Sequence, residues 1–166
     1  MVNSEPVITM TENTPPKPMR ASRITISQLM HPEHANLLGH VHGGWIMKLV
    51  DEAGALACMR YAQKKVVTVV IDSMTFRQPI KIGDLIILNA EVTYTGRTSM
   101  EVVVQVLAEN PITGEQTHTN TAYLVYVALD DEGKPTSVPQ LEAETDDEKR
   151  KMEQAKQRQE RRLKQK

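Results

Sequence analysis

His34-Ala35-Asn36-Leu37-Leu38-Gly39-His40-Val41-His42-Gly43-Gly44-Trp45-Ile46-Met47-Lys48-Leu49-Val50-Asp51-Glu52-Ala53-Gly54 is the stretch that decides how the chain is read. A turn-forming segment runs into a glycine pair, and beyond it apolar residues recur with helical spacing. At about 100° per residue, Ile46, Leu49, Val50, Ala53, Leu56 and Ala57 share one side. The spacing therefore predicts a helix over residues 43–63, packed on a sheet through that side. Lys48 and Glu52 lie opposite as a solvated i,i+4 pair. Asp51 belongs to neither face, because its helical neighbours are Met47, Gly54, Ala55 and Cys58, all small or apolar. A partly desolvated carboxylate is a better base than a solvated one. The glycine pair brings no Ser, Thr or Asp to cap the first turn, so its N–H groups are expected to be left for a developing oxyanion.

Outward from the helix, β-type patterns dominate. Residues 21–29 read as a strand, with Ile24 and Ile26 alternating against Arg23, Thr25 and Ser27. Four further runs follow, at 66–76, 84–94, 98–107 and 116–129. The breaks between them carry turn residues: Pro79 with Gly83, then Gly96, then Asn110-Pro111 with Gly114. Arg97-Thr98 follows Gly96 with hardly any loop, which predicts a tight hairpin. The order implies an α+β fold, one long central helix wrapped by an antiparallel sheet of about five strands. Residues 1–20, with Pro15, Pro16 and Pro18, read as a flexible lead. Residues 21–130 form the domain, and 131–144, with Pro135 and Pro139, a linker. Residues 145–166 are a basic helix or tail, polar nearly all round, which becomes a helix only if something docks on it.

Composition narrows the function classes. The chain has 166 residues, one domain's worth. No apolar run reaches the roughly 18 residues of a membrane span, and the N-terminus lacks the apolar centre of a signal peptide, so no membrane partner and a cytoplasmic location are expected. The single Cys58 cannot form an internal disulfide. His31, His34, His40 and His42 cluster without cysteines or further acids at ligand spacing, so no metal is expected. The last 18 residues hold nine basic and two acidic side chains, a local +7 that leaves −8 for the rest of a chain of net charge −1. An acidic body with a basic tail argues against specific nucleic-acid binding, although the tail can still hold phosphates.

The string His34-Ala35-Asn36-x-x-Gly39-x-x-x-Gly43-Gly44-x-x-Met47-x-x-x-Asp51-Glu52 resembles the hotdog-fold acyl-CoA thioesterases, bacterial hydrolases related to the cytosolic long-chain enzymes. The resemblance continues through Asp72-Ser73-Met74-Thr75-Phe76-x-x-Pro79-Ile80-x-x-Gly83-Asp84 and Thr95-Gly96-Arg97-Thr98-Ser99-Met100-Glu101-Val102, and spans about residues 20 to 130. It implies a helix wrapped by a sheet, dimers assembled further into trimers of dimers, and sites at the dimer interface. Hydrolysis of acyl-CoA to a free acid and coenzyme A is the implied activity, with no cofactor. By position, Asp51 matches the catalytic carboxylate, as base or nucleophile. Asn36 matches a catalytic asparagine supplied by the facing subunit, and Thr68 a threonine that helps position water, although threonine is also simply a good strand residue. Gly44, with Gly43 beside it, would offer its N–H to the thioester oxygen. Gly96, Arg97, Thr98 and Ser99 correspond to the segment along the coenzyme A arm. There Arg97 suits a bidentate phosphate contact as well as it suits a solvated hairpin. Arg77 and the basic tail are further phosphate candidates. Two rivals remain within the same fold: an enoyl-thioester hydratase or dehydratase drawing on His40 or His42, and a non-catalytic acyl-CoA sensor.

Overall fold

In a computed structural model, residues 14–165 are described. The helix predicted from the opening stretch is α1, Gly43–Ala62, and it lies against a five-stranded antiparallel sheet. In chain order the strands are β1 (Lys17–Pro18), β2 (Ile24–Leu29), β3 (Lys65–Met74), β4 (Leu85–Thr95), β5 (Ser99–Glu109), β6 (Gln116–Leu129) and β7 (Leu141–Glu142). The large sheet runs β2-β4-β5-β6-β3, while β1 and β7 pair separately and in parallel. A second helix, α2 (Asp146–Lys164), closes the chain. The hotdog arrangement and the α+β class are thus the observed ones.

Period-two alternation puts the core where the sequence placed it. Val102, Val104 and Val106 of β5 and Ile86, Leu88 and Val92 of β4 are fully buried toward α1. Five of the six apolar helix residues meet them, but Leu56 is 42% exposed. It sits at the rim of the apolar arc, beyond the reach of a sheet that curves around the opposite side. That opposite side buries Gly54, Cys58 and Tyr61 instead.

Two expectations need correction. The flexible lead ends earlier than residue 20. Lys17–Pro18 pairs with β7, and Met19–Ser22 coils into a 3₁₀ turn whose Met19 is fully buried. Ser22 ties that turn to β4, donating to Met19 O at 2.7 Å and accepting from Val92 N–H at 2.8 Å. Residues 1–13 of the expected lead lie outside the described residues. The linker is a packed strap: Val138 and Leu141 are buried, and the Tyr61 hydroxyl donates to Gln140 O at 2.9 Å. Glu101, on the face of β5 turned away from α1, is covered by α2.

That docking is largely ionic. Thr145 caps α2 by accepting from Glu148 N–H, three acids occupy its first turn, and Arg161, Arg162 and Lys164 its last, both matched to the helix dipole. Ala155, fully buried, is its close-approach point. Glu101, 1% exposed, accepts from Arg158 (2.7 Å) and from Arg162, while the Arg158 guanidinium lies 3.8 Å over the Tyr123 ring. Of the tail cations expected as phosphate candidates, Arg158 and Arg162 are already paired internally.

Candidate active site

Asp51 sits two turns into α1, at the edge of its buried face. Its Oδ1 accepts from the Thr68 hydroxyl at 2.7 Å and from the Tyr126 hydroxyl at 3.1 Å. The same Tyr126 hydroxyl lies 2.8 Å from the Asp51 backbone carbonyl, so its one proton is shared between the two Asp51 oxygens. Oδ2 has no hydrogen-bond partner among the described residues. One oxygen is therefore anchored by two donors, and the other is available to a reactant. Thr68 spends its proton on Asp51, so the hydroxyl expected to position water first positions the carboxylate. Its oxygen lone pairs remain able to accept from a water.

The strands explain why these groups converge. Thr68 on β3 and Tyr126 on β6 are register partners, and their side chains point the same way, toward the helix. A bulge follows at once, where the register slips between Thr68 and Val70. Bulges re-aim side chains, and this one ends the regular pairing beside the site. Tyr126 is fully buried, and burial, reinforced by the nearby Asp51 carboxylate, pushes its hydroxyl well above the ordinary tyrosine range. It therefore stays protonated and stays a donor. Cys58, two turns further along the same helix, is also pushed up by burial, which keeps it an inert thiol.

At the helix start the structure corrects the sequence. The first turn is capped: His42 is the N-cap residue, and its Nδ1 accepts from Gly44 N–H at 2.9 Å. Gly44 N–H, the expected oxyanion donor, is engaged in this state. Gly43 takes the Phe76 ring instead, since a Cβ there would lie 3.4 Å from Phe76 Cζ.

Asn36 belongs to this end of the molecule. The bridge between Ala35 and Val41 closes a small loop whose reversal uses Gly39 at φ +77°. Asn36 Oδ1 accepts from Leu38 N–H (2.9 Å) and His40 N–H (3.1 Å). Two donors on Oδ1 fix the amide's orientation and turn its NH₂ away from the loop. Asn36, Gly43, Phe76 and Arg77 line a cavity of about 330 Å³. Asp51 does not line it. A rise of 1.5 Å per residue places Asp51 about 12 Å along the axis from Gly43.

The hairpin residues form a third group. Gly96 N–H donates to Ser99 O at 2.8 Å, and a Cβ on Gly96 would crowd Ser99 Oγ at 2.8 Å. The carbonyls of Gly96, Arg97 and Thr98 accept from Gln140, Val138 and Ala128 respectively, which pins the turn to the strap and to β6. Arg97 is exposed and makes no ion pair among the described residues, and the same holds for Arg77. Sequence reading thus located Asp51 and Thr68, which the structure brings together, and Asn36, which one chain keeps apart from them. It missed Tyr126, the reason for Gly54 and the capping role of His42. A tyrosine in the apolar second half of β6 and a glycine in a helix interior were the available signals.

Comparison with known proteins follows the same line. A family profile described as Thioesterase superfamily matches residues 38–115. Protein VdlD of Helicobacter pylori is 39% identical over 132 residues, 80% of this chain and 75% of that one. The acyl-CoA thioester hydrolase YciA of Salmonella typhimurium is 32% identical over 136 residues, covering 80% and 98%. A crystal structure of an apo-hexameric acyl-CoA thioesterase superposes with a TM-score of 0.87 at 43% identity, covering 92% of this chain and 97% of the other. The acyl-CoA hydrolase of Staphylococcus aureus, solved with butyryl coenzyme A and coenzyme A, gives 0.84 at 39% identity, covering 91% and 92%. Solved variants of that enzyme replace an aspartate, an asparagine or a threonine by alanine. The asparagine precedes the aspartate, and the threonine follows it, by the same numbers of residues as Asn36, Asp51 and Thr68 do here.

Proposed function

This chain belongs to the thioesterase superfamily, in its hotdog-fold acyl-CoA hydrolase branch, and from that premise we propose that it hydrolyses acyl-CoA to a free carboxylic acid and coenzyme A. The observation that carries the reading is the Asp51 carboxylate, with Oδ1 held by Thr68 and Tyr126 and Oδ2 unengaged. Water attacks the thioester carbon and gives its proton to Oδ2. The carbonyl electrons move onto oxygen, and their return expels the coenzyme A thiolate, which takes the proton back from Asp51. In the other form of the step, Oδ2 attacks first and water hydrolyses the resulting anhydride. The thiolate is a good leaving group, so no separate acid is required, and the chain's own side chains suffice.

The oxyanion meets donors at the helix N-terminus. Gly44 N–H serves once the thioester oxygen replaces His42 Nδ1, and the outward NH₂ of Asn36 supplies a second donor. Asn36 and Gly44 lie at one end of α1, about 10 Å along its axis from Asp51, so both donors come from a second copy of the chain. β3 is an edge strand whose Val67 (46%), Val69 (52%) and Ile71 (43%) are exposed, an apolar row and an open ladder that suit pairing with another strand. Leu37 and Leu38, at the tip of the Asn36 loop, are also exposed. Dimers built on this edge assemble further into hexamers in this reading, and Arg77 and Arg97 meet the coenzyme A phosphates.

Mixing tests the shared site. Asp51→Ala and Asn36→Ala proteins, each inactive alone, should regain thiol release from acyl-CoA when refolded together, because a mixed dimer holds one intact site. Release would be read with a disulfide dye on acetyl- through palmitoyl-CoA. No regain at any chain length would mean that both residues act from one subunit or that neither acts. A hydratase would instead change enoyl absorbance without releasing thiol.

A further inference from the structure

We propose that Tyr126 is the positioning residue for the Asp51 carboxylate, and that Gly54 is a glycine so that the tyrosine can reach it. The inference rests on the thioesterase reading for what the carboxylate does, but its geometry stands without it. Two residues here go against their local interest. A glycine in the middle of a helix costs about 1 kcal/mol relative to alanine. Replacing the buried tyrosine with phenylalanine would remove a hydroxyl that has to be satisfied away from water. Both oddities resolve at one contact. A Cβ on Gly54 would collide with the Tyr126 hydroxyl and lie 3.0 Å from two of its ring carbons. Without it, the phenol lies flat enough on the helix to reach Asp51 O at 2.8 Å and Oδ1 at 3.1 Å.

The consequence is rotational. Asp51 is only half-buried, so hydrogen bonds must hold its carboxylate plane. Thr68 alone would hold Oδ1 at a point and let Oδ2 swing about it. A second donor, tied at the same time to the backbone of Asp51 itself, fixes Oδ1 relative to the helix axis and so aims Oδ2. The groups around the carboxylate that can titrate are Tyr126 on β6 and Cys58 on α1, and burial keeps both protonated. Thr68 faces it from β3. Tyr126 touches neither water nor substrate, being fully buried. Its loss should therefore appear in turnover and leave substrate affinity alone.

The test compares Tyr126→Phe, which keeps the ring, with Gly54→Ala, which keeps the hydroxyl and displaces it. Initial rates of thiol release should show kcat falling about tenfold in both variants with KM within twofold of the parent, since a misaimed base loses near-attack geometry without losing binding. A parallel readout needs no turnover: a crystal structure of Tyr126→Phe should show the Asp51 carboxylate turned from its parent orientation, with Oδ2 no longer aimed as in the parent. Parent-like kcat and an unmoved Asp51 carboxylate in Tyr126→Phe would overturn the proposal. If the parent chain releases no thiol from any acyl-CoA, the thioesterase reading fails, while the carboxylate orientation still decides the positioning claim.

Discussion

Replacing His42 by alanine should separate the stability of the helix start from its chemistry, with opposite signs. In the structure the imidazole Nδ1 accepts from Gly44 N–H at 2.9 Å, the one side-chain cap at that end of α1 among the described residues. Losing an N-cap acceptor costs about 1 kcal/mol, and for a domain of this size that lowers Tm by about 2–4 °C. If Gly44 N–H is the donor that meets the thioester oxygen, the same imidazole is its competitor in the free enzyme. Removing the competitor returns at most that cap energy to substrate and transition state. At 1.4 kcal/mol per decade, kcat/KM should rise by up to about fivefold. Thermal melts give the first quantity, and initial thiol-release rates below KM give the second. A fall in kcat/KM alongside the lowered Tm would refute the reasoning, since His42 would then be needed to shape the site and Gly44 would not be the oxyanion donor.

Four shorter expectations follow from other parts of the molecule. Glu101→Leu leaves the Arg158 and Arg162 guanidinium groups without their buried acceptor, a loss of about 3–5 kcal/mol if they stay buried. Because α2 can lift away, the cost should appear as faster tryptic cleavage after Arg158 with the sheet's melt little changed. Hydrogen bonds from Arg20 and Lys151 hold the Glu144 and Asp147 carboxyls below their ordinary values. Depressed carboxyls stabilise the native state above about pH 4 and cease to do so as pH falls through their lowered values, so amide NMR shifts of the strap and first turn of α2 should change there first. Val69→Lys puts a charge on the apolar β3 edge and should shift the protein to a smaller species on size-exclusion with parallel loss of turnover. Unchanged assembly would remove the edge from the interface. Thr68→Val deletes the shorter of the two anchors on Oδ1 and should lower kcat by about tenfold or more with KM unchanged.

What the sequence disclosed was what depends on neighbours in the chain. Helical spacing through Ile46, Leu49, Val50, Ala53 and Ala57 and the alternation of β4 and β5 are local patterns, so α1 and its sheet were legible. The hairpin at Gly96 was legible for the same reason. Contacts between distant residues were not. Glu101 looks solvated in its own strand and becomes buried only because Arg158 lies 57 residues later on a helix with no apolar stripe. Lys17 looks like part of a loose lead until β7, far along the chain, pairs with it. Tyr126 reads as one more inward strand residue, and its role depends on a gap left by Gly54. The cap on α1 was missed for a chemical reason: histidine is seldom counted among N-cap residues, though a neutral imidazole nitrogen accepts as an Asp or Ser oxygen does. Asn36 and Asp51 lie apart in one chain, and no local pattern can disclose a second copy.

The role of Asp51 is tested most directly by thiol release from a panel of acyl-CoAs, measured for the parent and for Asp51→Ala at equal folded concentration, with thermal melts to certify the fold. The proposed mechanism predicts a parent that turns over at least one chain length and an Asp51→Ala protein that melts like it while losing about 100-fold or more of kcat, the scale of a lost general base. An Asp51→Ala protein that turns over within a few-fold of the parent would contradict it.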